Sequence, residues 1–557
     1  MMKKVLLTLL SWMVVSGVTA QDQPVRVGII TDTHVTRDAA SCRSLEAAMQ
    51  LFKAHQVDLI INCGDVADVY DETAYANYLA AVRRVFPENK PLELFAFAYH
   101  DILGAGNWTT GWDRAWPGFK RGLAIGHERY SKHCVGGYIF LTFPQKHDMV
   151  LYEQMVAEAC RETPGKPVFL IDHVPAYNTV YNSQNDGDME VRDLLNKYPQ
   201  VIQLSGHTHG TFRNELNIWQ GEFTVINAGC ASQRWMGKLI GTAPGGKRAD
   251  EALLMEIYPD EIVIRRFDLV TGNEYKPDEL WRFPLPFDPA TAPYRAEVRR
   301  QIPAPEFPEG SAITVRANRE PFTSLRVTLP EAAGKDGTFV YRFSLYRRDN
   351  NGAWERFAVQ EIFGGFLHEP AARRSIAHSF SGGFFESGRE YRLVVEPFNF
   401  YGKAGRALEK VFTVPEKVVG TVVFESSDPM KDCPFLTGLS GGEPLVTADG
   451  FYLHNVAAAR LVFPENVWAG AAGTQFRLTV DMHTVQPSDR RQWTLTLRHP
   501  HPVENASHRI FTMPGDPGVQ RYVFDLRKRI DSLNFYLLIR EGDPGKIRFE
   551  YVKIERF

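Results

Sequence analysis

The chain has 557 residues, of which 44% are hydrophobic and 23% are charged. This length is too great for one hydrophobic core and the composition is that of a globular protein, so we predict about three domains with large cores and little disorder. The formal net charge is −3, the isoelectric point is near 6.6, and no basic stripe is present, which argues against nucleic acid as the main partner.

The first twenty residues have the pattern of a secretory signal peptide. Lys3 and Lys4 form a positive segment, residues 5–15 form a short apolar core, and Val-Thr-Ala at 18–20 is a small-residue cleavage site. The alternative is a buried N-terminal helix. No cysteine follows the cleavage site and no later run of about 20 apolar residues is present. We therefore predict a secreted or periplasmic protein, cleaved near Ala20, with no transmembrane segment in the mature chain.

The cysteines predict little disulfide bonding. They are irregularly spaced, and the last one stands alone in the final third of the chain: Cys42, Cys63, Cys134, Cys160, Cys230 and Cys433. Export would permit disulfides, but this spacing favours mostly free, buried thiols and indicates no metal cluster. One bridge within the first domain is the alternative.

Residues 24–290 alternate between apolar strands and amphipathic helices, which predicts one α/β domain. The predicted strands are 25–31, 57–65, 92–101, 138–143, 166–173 and 201–210. The predicted helices are 38–55, 72–86, 148–162 and 189–198. Fully apolar strands separated by helices are typical of sheets that are covered on both faces. In such folds, functional sites form at the carboxyl ends of the strands.

Two proline-rich segments, 283–294 and 302–310, predict a linker after this domain. Beyond it, residues 300–416 predict a small all-β sandwich, because apolar residues alternate over 338–346 and again from Tyr391 onward. This segment loosely resembles a fibronectin type III domain, whose penultimate strand often ends in a turn similar to the one at 397–402.

Residues 418–557 predict a second all-β sandwich. Five segments alternate between apolar and polar residues: 475–485, 491–500, 521–528, 533–542 and 546–557. We predict a jelly roll, and the segment resembles the carbohydrate-binding or galactose-binding-like modules of secreted enzymes. Binding to a glycan or a cell surface is therefore one expectation, and a structural domain without a ligand is the other.

Five short polar motifs each close a predicted strand of the first domain. They are Asp32-Thr33-His34, Gly64-Asp65, Tyr99-His100-Asp101, His173 and Gly206-His207-Thr208-His209. Each motif alone is a weak signal, but together they place carboxylates and imidazoles at the same edge of one sheet. Charged groups are rarely buried without partners, so core packing does not explain the set. A divalent metal site does.

The residue types suit this chemistry. Imidazole and carboxylate are ligands for zinc, iron and manganese. In a D-x-H motif two side chains converge from one loop, and a single carboxylate such as that of Asp65 can bridge two ions through its two oxygens. Two ions about 3.5–4 Å apart can hold a phosphoryl group, activate water and stabilise the leaving oxygen.

The order of these motifs resembles that of the calcineurin-like metallophosphoesterase superfamily, which includes the purple acid phosphatases. The usual signature is D-x-H, G-D, G-N-H-D/E, H and G-H-x-H, and this chain has DTH, GD, AYHD, H and GHTH in the same order. The resemblance spans roughly residues 25–270. It implies a four-layer αββα sandwich with a dinuclear centre at the strand ends, followed here by the two all-β sandwich domains.

The resemblance also implies which residues would hold two divalent ions, manganese, iron or zinc. The first ion would be held by Asp32, His34, Asp65 and His209. The second ion would be held by Asp65, His173 and His207. Asp68, three residues after Asp65, is expected to cap or orient a neighbour rather than to bind metal.

The same resemblance implies the reaction, which is hydrolysis of a phosphomonoester or phosphodiester by a metal-activated hydroxide, in line and without a covalent intermediate. His100 would stabilise the transition state and protonate the departing oxygen. Asp101 would orient and charge His100. Both residues are therefore the predicted catalytic pair.

Tyr99 departs from the family pattern, which has an asparagine ligand to the second metal at this position. Three interpretations follow: the second site keeps Asp65, His173 and His207 with water; Tyr99 turns away or binds metal as a phenolate; or the second site is weak. Asn107, in the loop that follows, is a further candidate to supply the missing amide. Trp108, Trp112 and Trp116 either form an aromatic wall beside the site or pack in the core.

We therefore consider two functional hypotheses. The first is a secreted metal-dependent phosphoesterase whose β domains place it on a polymer or a cell surface. The second is a metal-binding derivative with weak or no turnover, which acts as an extracellular binding module. Because the six expected ligands and His100 all remain, we favour the first hypothesis.

Overall fold

The computed structural model describes residues 23–234 and 249–433, apart from 319–323, 350, 368–374 and 415–419. From residue 434 onward it describes 435–436, 445–447, 450–452, 458–461, 463–464, 475–486, 493–498, 509–512, 518–526, 534–538 and 546–557. The predicted signal peptide lies outside the described residues. Within these ranges, no helix has the length and apolar character needed to span a membrane.

The described chain forms two compact units, one made of residues up to 234 together with 249–299 and the other from residue 300 onward. In chain order the strands of the first unit are β1 (Val25–Ile30), β2 (Leu59–Asn62), β3 (Leu92–Phe95), β4 (Ser131–Val135), β5 (Tyr138–Thr142), β6 (Val168–Ile171), β7 (Val201–Ser205), β8 (Ile218–Gln220), β9 (Thr224–Asn227), β10 (Glu251–Ile257), β11 (Glu261–Asp268), β12 (Glu274–Tyr275) and β13 (Trp281–Pro284).

These strands form two mixed sheets. The first sheet has the order β12-β11-β10-β1-β2-β3, with β13 also paired to β11, and its β1, β2 and β3 are parallel. The second sheet has the order β4-β5-β6-β7-β9-β8, and its β5, β6, β7 and β9 are parallel. Each sheet therefore has a parallel centre, as the apolar strands predicted.

The helices of the first unit are α1 (Arg43–Ala54), α2 (Glu72–Val85), α3 (Tyr99–Ile102), α4 (Gly111–Gly122), α5 (Met149–Glu162), α6 (Ser183–Asp186), α7 (Met189–Leu195) and α8 (Ala296–Arg299). The four predicted helices correspond to α1, α2, α5 and α7 and are confirmed. Helix α4 was not predicted, because Pro117 and its glycines lower the helix propensity. Its buried face, formed by Trp112, Ala115 and Phe119, stabilises it instead.

Three clusters of buried side chains hold the first unit together. One joins α1, α2 and α4 to the first sheet and includes Phe52 and Phe119. Another contains side chains from both sheets, among them Ile61 and Phe169. A third joins α5 and α7 to the second sheet around Val156. Burying one large apolar side chain contributes about 1.5–3 kcal/mol, so these clusters fix the strand ends on which the polar motifs lie.

The third predicted strand is shorter than expected. It was predicted over 92–101, but β3 ends at Phe95, Phe97 makes only an isolated bridge to Pro144, and Tyr99–Ile102 form a helical turn. The apolar run of residues 94–98 is buried throughout, so its hydrophobicity reflects burial and not continued pairing. His100 and Asp101 are therefore presented by a helical turn.

The described residues of the second unit form several all-β sheets and a short α-helix, α9 (Pro429–Asp432). Its described strands are β14 (Thr314–Asn318), β15 (Ser324–Pro330), β16 (Val340–Arg348), β17 (Trp354–Phe363), β18 (Ser375–Ser381), β19 (Glu390–Phe398), β20 (Leu408–Thr413), β21 (Thr421–Ser426), β22 (Phe435–Leu436), β23 (Leu445–Thr447), β24 (Gly450–Tyr452), β25 (Ala458–Leu461), β26 (Phe476–Gln486), β27 (Trp493–Arg498), β28 (Arg509–Thr512), β29 (Gly518–Leu526), β30 (Asn534–Leu538) and β31 (Lys546–Arg556).

The strands predicted in the second unit are confirmed. The segments predicted over 475–485, 491–500, 521–528, 533–542 and 546–557 correspond to β26, β27, β29, β30 and β31. The sheets before residue 415 have the orders β14-β15-β18 and β17-β16-β19-β20. The fibronectin type III and jelly-roll assignments, and the domain boundaries, stay predictions.

The six cysteines are free thiols, which confirms the predicted absence of a disulfide framework. The alternative of one bridge in the first domain is not found. Four of the thiols are buried as predicted, whereas Cys134 is exposed and Cys160 is half-buried. The protein is therefore held together by its cores and hydrogen bonds.

Candidate functional site

The first two motifs stay paired beyond the strands that carry them. Asp32 donates its backbone N–H to the carbonyl of Gly64 at 3.0 Å, and His34 donates to the carbonyl of Asp65 at 3.1 Å. Because β1 and β2 are parallel neighbours, their carboxyl ends present the two loops side by side. The register of the sheet thus places the DTH and GD motifs against each other.

Four of the predicted ligands form one cluster. Asp32, His34, Asp65 and His209 each offer one ligand atom, these atoms lie within 4.8 Å of one another, and all four residues are buried. The cluster joins loops after β1, β2 and β7, which belong to two different sheets. It can therefore hold a metal ion.

Five site residues have left-handed backbone conformations. The φ angles are +51° for Asp32, +43° for His34, +50° for Asp65, +65° for His207 and +47° for His209. Side chains other than glycine rarely adopt this conformation, and it costs about 1–3 kcal/mol where the surrounding structure imposes it. Such strain concentrates at functional sites. The fold therefore holds these side chains in place against their local preference.

Two motif glycines lie so close to side chains of the site that a Cβ atom would clash with them. At Gly64, where φ is +102°, a Cβ atom would lie 2.8 Å from Cβ of Ala98 and 2.9 Å from Nδ1 of His173. At Gly206 a Cβ atom would lie 2.4 Å from Oδ2 of Asp32. Any larger residue would displace a side chain of the site, which explains the glycine before each of these motifs.

Three imidazoles are oriented by hydrogen bonds from Nδ1 to oxygen. His34 contacts the Asp68 carboxylate at 3.2 Å, His173 the Cys63 carbonyl at 2.8 Å and His209 the Gln233 carbonyl at 2.6 Å. A carbonyl or carboxylate oxygen only accepts, so Nδ1 carries the proton in each ring. The lone pair of a neutral ring is then on Nε2, which is the arrangement that metal-binding histidines adopt.

The spacing of the ligand atoms fits a common ion. Nε2 of His209 lies 3.1 Å from Oδ1 of Asp32, and the Nε2 atoms of His34 and His209 lie 3.3 Å apart. Ligands that are about 2.0–2.2 Å from one ion lie about 3–3.5 Å from each other. Oδ1 of Asp32 and Nε2 of His173 are also buried without a hydrogen-bond partner. An unsatisfied buried polar atom is costly, and a bound cation would satisfy both.

The charges of the site also favour a cation. Burial acts to raise the pKa of Asp32, but His209 and His173 outweigh it and lower this pKa to about 2. Burial acts to lower the pKa of His173, but Asp65 and Asp32 raise it to about 9, so a proton occupies this ring in the metal-free site and a bound ion would replace it. The two buried carboxylates are therefore ionised at neutral pH and draw positive charge into the site.

The remaining two predicted ligands lie next to this cluster. Nε2 of His173 is 3.1 Å from Oδ2 of Asp65, and the rings of His173 and His207 are 5.2 Å apart. Burial, with a contribution from His173, lowers the pKa of His207 to about 4, so this imidazole is neutral and able to bind metal at neutral pH. Asp65 is the residue that both groups of ligands share.

His100 contacts the same cluster from the α3 turn. Its backbone N–H donates to Oδ1 of Asp65 at 3.0 Å, and its ring lies 4.6 Å from that of His34. Its Nδ1 lies 2.7 Å from the carbonyl oxygen of Asp68. The Nδ1 proton is thus donated to a carbonyl, which leaves Nε2 as the nitrogen that can exchange a proton with a ligand.

The structure corrects the role that was predicted for Asp101. Its Oδ1 accepts hydrogen bonds from the backbone N–H groups of Val66 and Ala67 at 3.1 and 3.2 Å, and its Oδ2 accepts one from Ala98 at 3.2 Å. The group that orients His100 is instead the carbonyl of Asp68. Asp101 is buried among backbone amides because it joins the loop after β2 to the α3 turn.

Tyr99 lies at the surface, beside His100 and Trp108. Its side chain is 39% exposed, and its ring contacts the rings of His100 and Trp108, each at 6.0 Å between centroids. Of the three interpretations, this position favours a Tyr99 that is turned away from the metal ligands.

Asn107 caps the turn of residues 108–110, which leads into α4. Its Oδ1 accepts from the backbone N–H groups of Thr109 and Thr110, both at 3.0 Å, and its carbonyl accepts from Gly111 at 2.8 Å. These bonds satisfy amide groups at the start of α4. Asn107 therefore does not supply the amide that the family pattern has at position 99.

The cap gives a testable prediction. Replacing Asn107 with alanine is expected to lower the free energy of unfolding by about 1 kcal/mol, the usual cost of losing a capping side chain, and to leave the metal content unchanged. Urea unfolding and elemental analysis measure the two effects. Thr109→Ala, in the same exposed turn, is the control and should change neither. A loss of metal in Asn107→Ala would show that Asn107 is a ligand after all.

Sequence reasoning missed the groups that orient the ligands. They are the backbone carbonyls of Cys63, Asp68 and Gln233, together with Cys230, whose Sγ lies 3.3 Å from Nδ1 of His209. A carbonyl group is present in every residue, so no residue type marks these partners in the sequence.

Comparison with known proteins agrees with the geometry of the first unit. Residues 25–211 match the family model of the calcineurin-like phosphoesterases. A conserved uncharacterized protein of Streptococcus pneumoniae, described as a predicted phosphoesterase, is 12% identical, with 47% of this chain and 98% of that chain covered and a TM-score of 0.23. Vacuolar protein sorting 29 of Cryptosporidium parvum is also 12% identical, with 47% and 100% covered and a TM-score of 0.25.

The carbohydrate-binding module of Cellvibrio mixtus lichenase 5A, solved in complex with cellotriose, is 14% identical, with 25% of this chain and 99% of that chain covered and a TM-score of 0.16. No curated protein matches the chain. At these TM-scores the structural likenesses add nothing to the assignment of the site. The family match and the buried cluster instead agree on the first unit: residues 25–211 are a calcineurin-like phosphoesterase domain in which Asp32, His34, Asp65 and His209 can bind metal.

Proposed function

We propose that this protein is a metal-dependent phosphoesterase that hydrolyses a phosphomonoester or phosphodiester at a dinuclear centre. One observation carries the proposal. The imidazoles of His34, His173 and His209 each have Nδ1 fixed to an oxygen acceptor, and their Nε2 atoms lie beside the buried carboxylates of Asp32 and Asp65. This donor set is the one that zinc, iron and manganese bind.

The proposal assigns the predicted ligands to two ions. Asp32, His34, Asp65 and His209 would hold the first ion, and Asp65, His173 and His207 would hold the second. When bound, two divalent ions of this kind activate water and offset the charge on the phosphoryl oxygens. In this proposal water, and not Tyr99, completes the second site.

His100 is the candidate general acid. Its side chain is 29% exposed and can therefore meet a substrate, while the Asp68 carbonyl and the Asp65 carboxylate hold its ring and its backbone. With Nδ1–H donated to Asp68, the proton for a departing oxygen would come from Nε2. Asp101 would act indirectly, by holding the α3 turn against the loop that carries Asp65.

We further infer a four-layer αββα order for the first unit, since separate cores lie between helices and the first sheet, between the two sheets, and between the second sheet and helices. The same proposal divides the chain into three domains, at 24–290, 300–416 and 418–557. It also gives the β domains a glycan- or surface-binding role and the protein a secreted or periplasmic location.

The test is hydrolysis by purified protein that is first stripped of metal and then loaded with manganese, iron or zinc. Phenyl phosphate and bis(phenyl) phosphate distinguish monoesterase from diesterase activity. The proposal expects turnover that requires added metal and is lost with a chelator. Metal binding without turnover on either ester would instead support the second hypothesis, a binding module.

His100→Gln is expected to lower kcat by about 100-fold or more, because general acid catalysis contributes about 10²–10⁴-fold, while the metal content stays the same. Steady-state kinetics and elemental analysis measure the two quantities. His133→Gln, in a half-buried histidine of β4, is the control and should keep full activity. An unchanged kcat in His100→Gln would remove His100 from the reaction.

A further inference from the structure

Two exposed aromatic side chains lie together beside the site. Among the described residues, the large hydrophobic side chains that are clearly exposed include two aromatic ones, Tyr99 at 39% and Trp108 at 46%. Their rings are neighbours, with centroids 6.0 Å apart and planes inclined by 40°. Aromatic rings are among the most costly groups to leave in water, so their pairing on the surface calls for an explanation.

Buried aromatic rings and hydrogen bonds hold this pair in place. Trp108 packs edge-to-face on the buried Trp112 at 5.1 Å, and Trp112 packs edge-to-face on Phe97 at 5.5 Å. The Asn107 cap holds the turn that carries Trp108. The backbone N–H of Tyr99 donates to Oε1 of Gln145 at 2.8 Å. The Trp108 ring is therefore held by packing and the Tyr99 backbone by a hydrogen bond, so binding a ligand would order little that is not already ordered.

The pair also adjoins the candidate general acid. The ring of Tyr99 lies 6.0 Å from that of His100, and the ring of His100 lies 4.6 Å from that of His34 in the metal-binding cluster. A group attached to the departing oxygen of a phosphate ester held near His100 would therefore lie within reach of Tyr99 and Trp108.

We propose that Tyr99 and Trp108 form an aromatic platform that binds a planar aromatic ring in the leaving group of the substrate. This inference rests on the proposed function and narrows its substrate class to phosphate esters of aryl alcohols or of nucleosides, which share that ring. Stacking of an aromatic ring on an aromatic side chain is strong and tolerant of ring type.

Two oxygen atoms next to the platform are already used within the protein. The Asn107 and Gln145 carbonyl oxygens are both engaged with backbone amides. Selective recognition of hydroxyl groups needs precisely placed hydrogen-bonding side chains, and these two nearby amide side chains direct their acceptors to the protein backbone. These two oxygens are therefore not available to sugar hydroxyls, whereas the exposed faces of Tyr99 and Trp108 are available to a ring.

The test measures binding, so it does not depend on turnover. Calorimetry on the metal-loaded full chain compares phenylphosphonate with methylphosphonate, and adenosine 5′-monophosphate with ribose 5-phosphate. The proposal expects the aromatic member of at least one pair to bind roughly tenfold more tightly. Trp108→Ala should abolish that preference, and Tyr99→Ala serves the same purpose if Trp108→Ala does not fold. Trp354→Ala removes a comparable indole from β17 in the second unit and should keep the preference.

The two ligand pairs show whether the ring belongs to an aryl ester or to a nucleotide. A preference in the first pair alone indicates an aryl ester, and a preference in the second pair indicates a nucleotide. An aromatic preference that is lost in Trp108→Ala supports the platform even if no ester is hydrolysed, in which case only the proposed function fails. No preference in either pair, or a preference that survives both alanine variants, overturns the platform. The platform proposal would also be overturned if ribose 5-phosphate binds more tightly than methylphosphonate and this difference is lost in Trp108→Ala. That result would indicate that the two aromatic side chains bind a sugar.

Discussion

Asp65→Asn is expected to lower the affinity for the metal by more than about 100-fold, and hydrolysis should be lost with the metal. The loss of a residue that merely orients a ligand already lowers metal affinity or activity by about 10–100-fold. Asp65 is the carboxylate that both proposed groups of ligands share, with Oδ2 lying 3.1 Å from Nε2 of His173 and 4.0 Å from that of His34. Asparagine keeps the shape and an oxygen that can accept from the His100 N–H, but it removes the charge that would hold both ions.

Elemental analysis after desalting and steady-state hydrolysis of phenyl phosphate measure this effect, and circular dichroism checks the fold. Asp113→Asn is the matched control, since the same substitution there affects an exposed aspartate that pairs with Arg129. It should retain metal and activity. Full metal content in Asp65→Asn would mean that the bridging carboxylate has been assigned wrongly.

Glu215→Gln is expected to lower the free energy of unfolding at pH 7 by about 3 kcal/mol, the value that corresponds to the shift in its pKa. Glu215 accepts from Trp281 at 2.7 Å and pairs with Arg266 at 3.0 Å and Lys276 at 3.2 Å. Burial acts to raise its pKa, but Arg266 and Lys276 outweigh burial and lower the pKa from 4.5 to about 2.

The sign of this shift determines the pH dependence. A carboxylate whose pKa is lowered by folding contributes stability that is present above pH 4.5 and is lost as the pH falls toward 2. The difference in stability between the natural protein and Glu215→Gln should therefore shrink over this range in urea titrations. Glu261→Gln, at a looser and more exposed pair with Arg282 at 3.9 Å, is the control and should change stability little. A difference that is independent of pH would show that the Glu215 charge does not contribute to stability.

The sequence alone predicted most of the first unit because its signals were local and strong. The apolar strands and amphipathic helices carry their own periodicity, and the helices at 43–54, 72–85, 149–162 and 189–195 confirm this. The ligand cluster was predictable for a different reason. Asp32, His34, Asp65 and His209 each follow a buried strand, and the carboxyl ends of parallel strands meet at one edge.

What the sequence did not predict depends on tertiary contacts. The end of β3 at Phe95 could not be read from a run that stays apolar to Ala98, because burial and strand pairing have the same composition. Asp101 was assigned to its neighbour His100, whereas its carboxylate binds amides from a loop that lies 34 and 35 residues away. Tyr99 was considered as a ligand because of its position in the motif, and Asn107 because it lies in the following loop. Only the fold shows Asn107 closing the turn before α4 and Tyr99 against Trp108.

The measurement that tests the central claim most directly is the metal content per chain, by elemental analysis of protein loaded with manganese, iron or zinc and then desalted. We expect about two ions per chain, and a loss of metal in Asp65→Asn but not in Asp113→Asn. A natural protein that retains no ion after loading, or one whose ions are unaffected by Asp65→Asn, would contradict the assignment of this buried cluster as a metal centre.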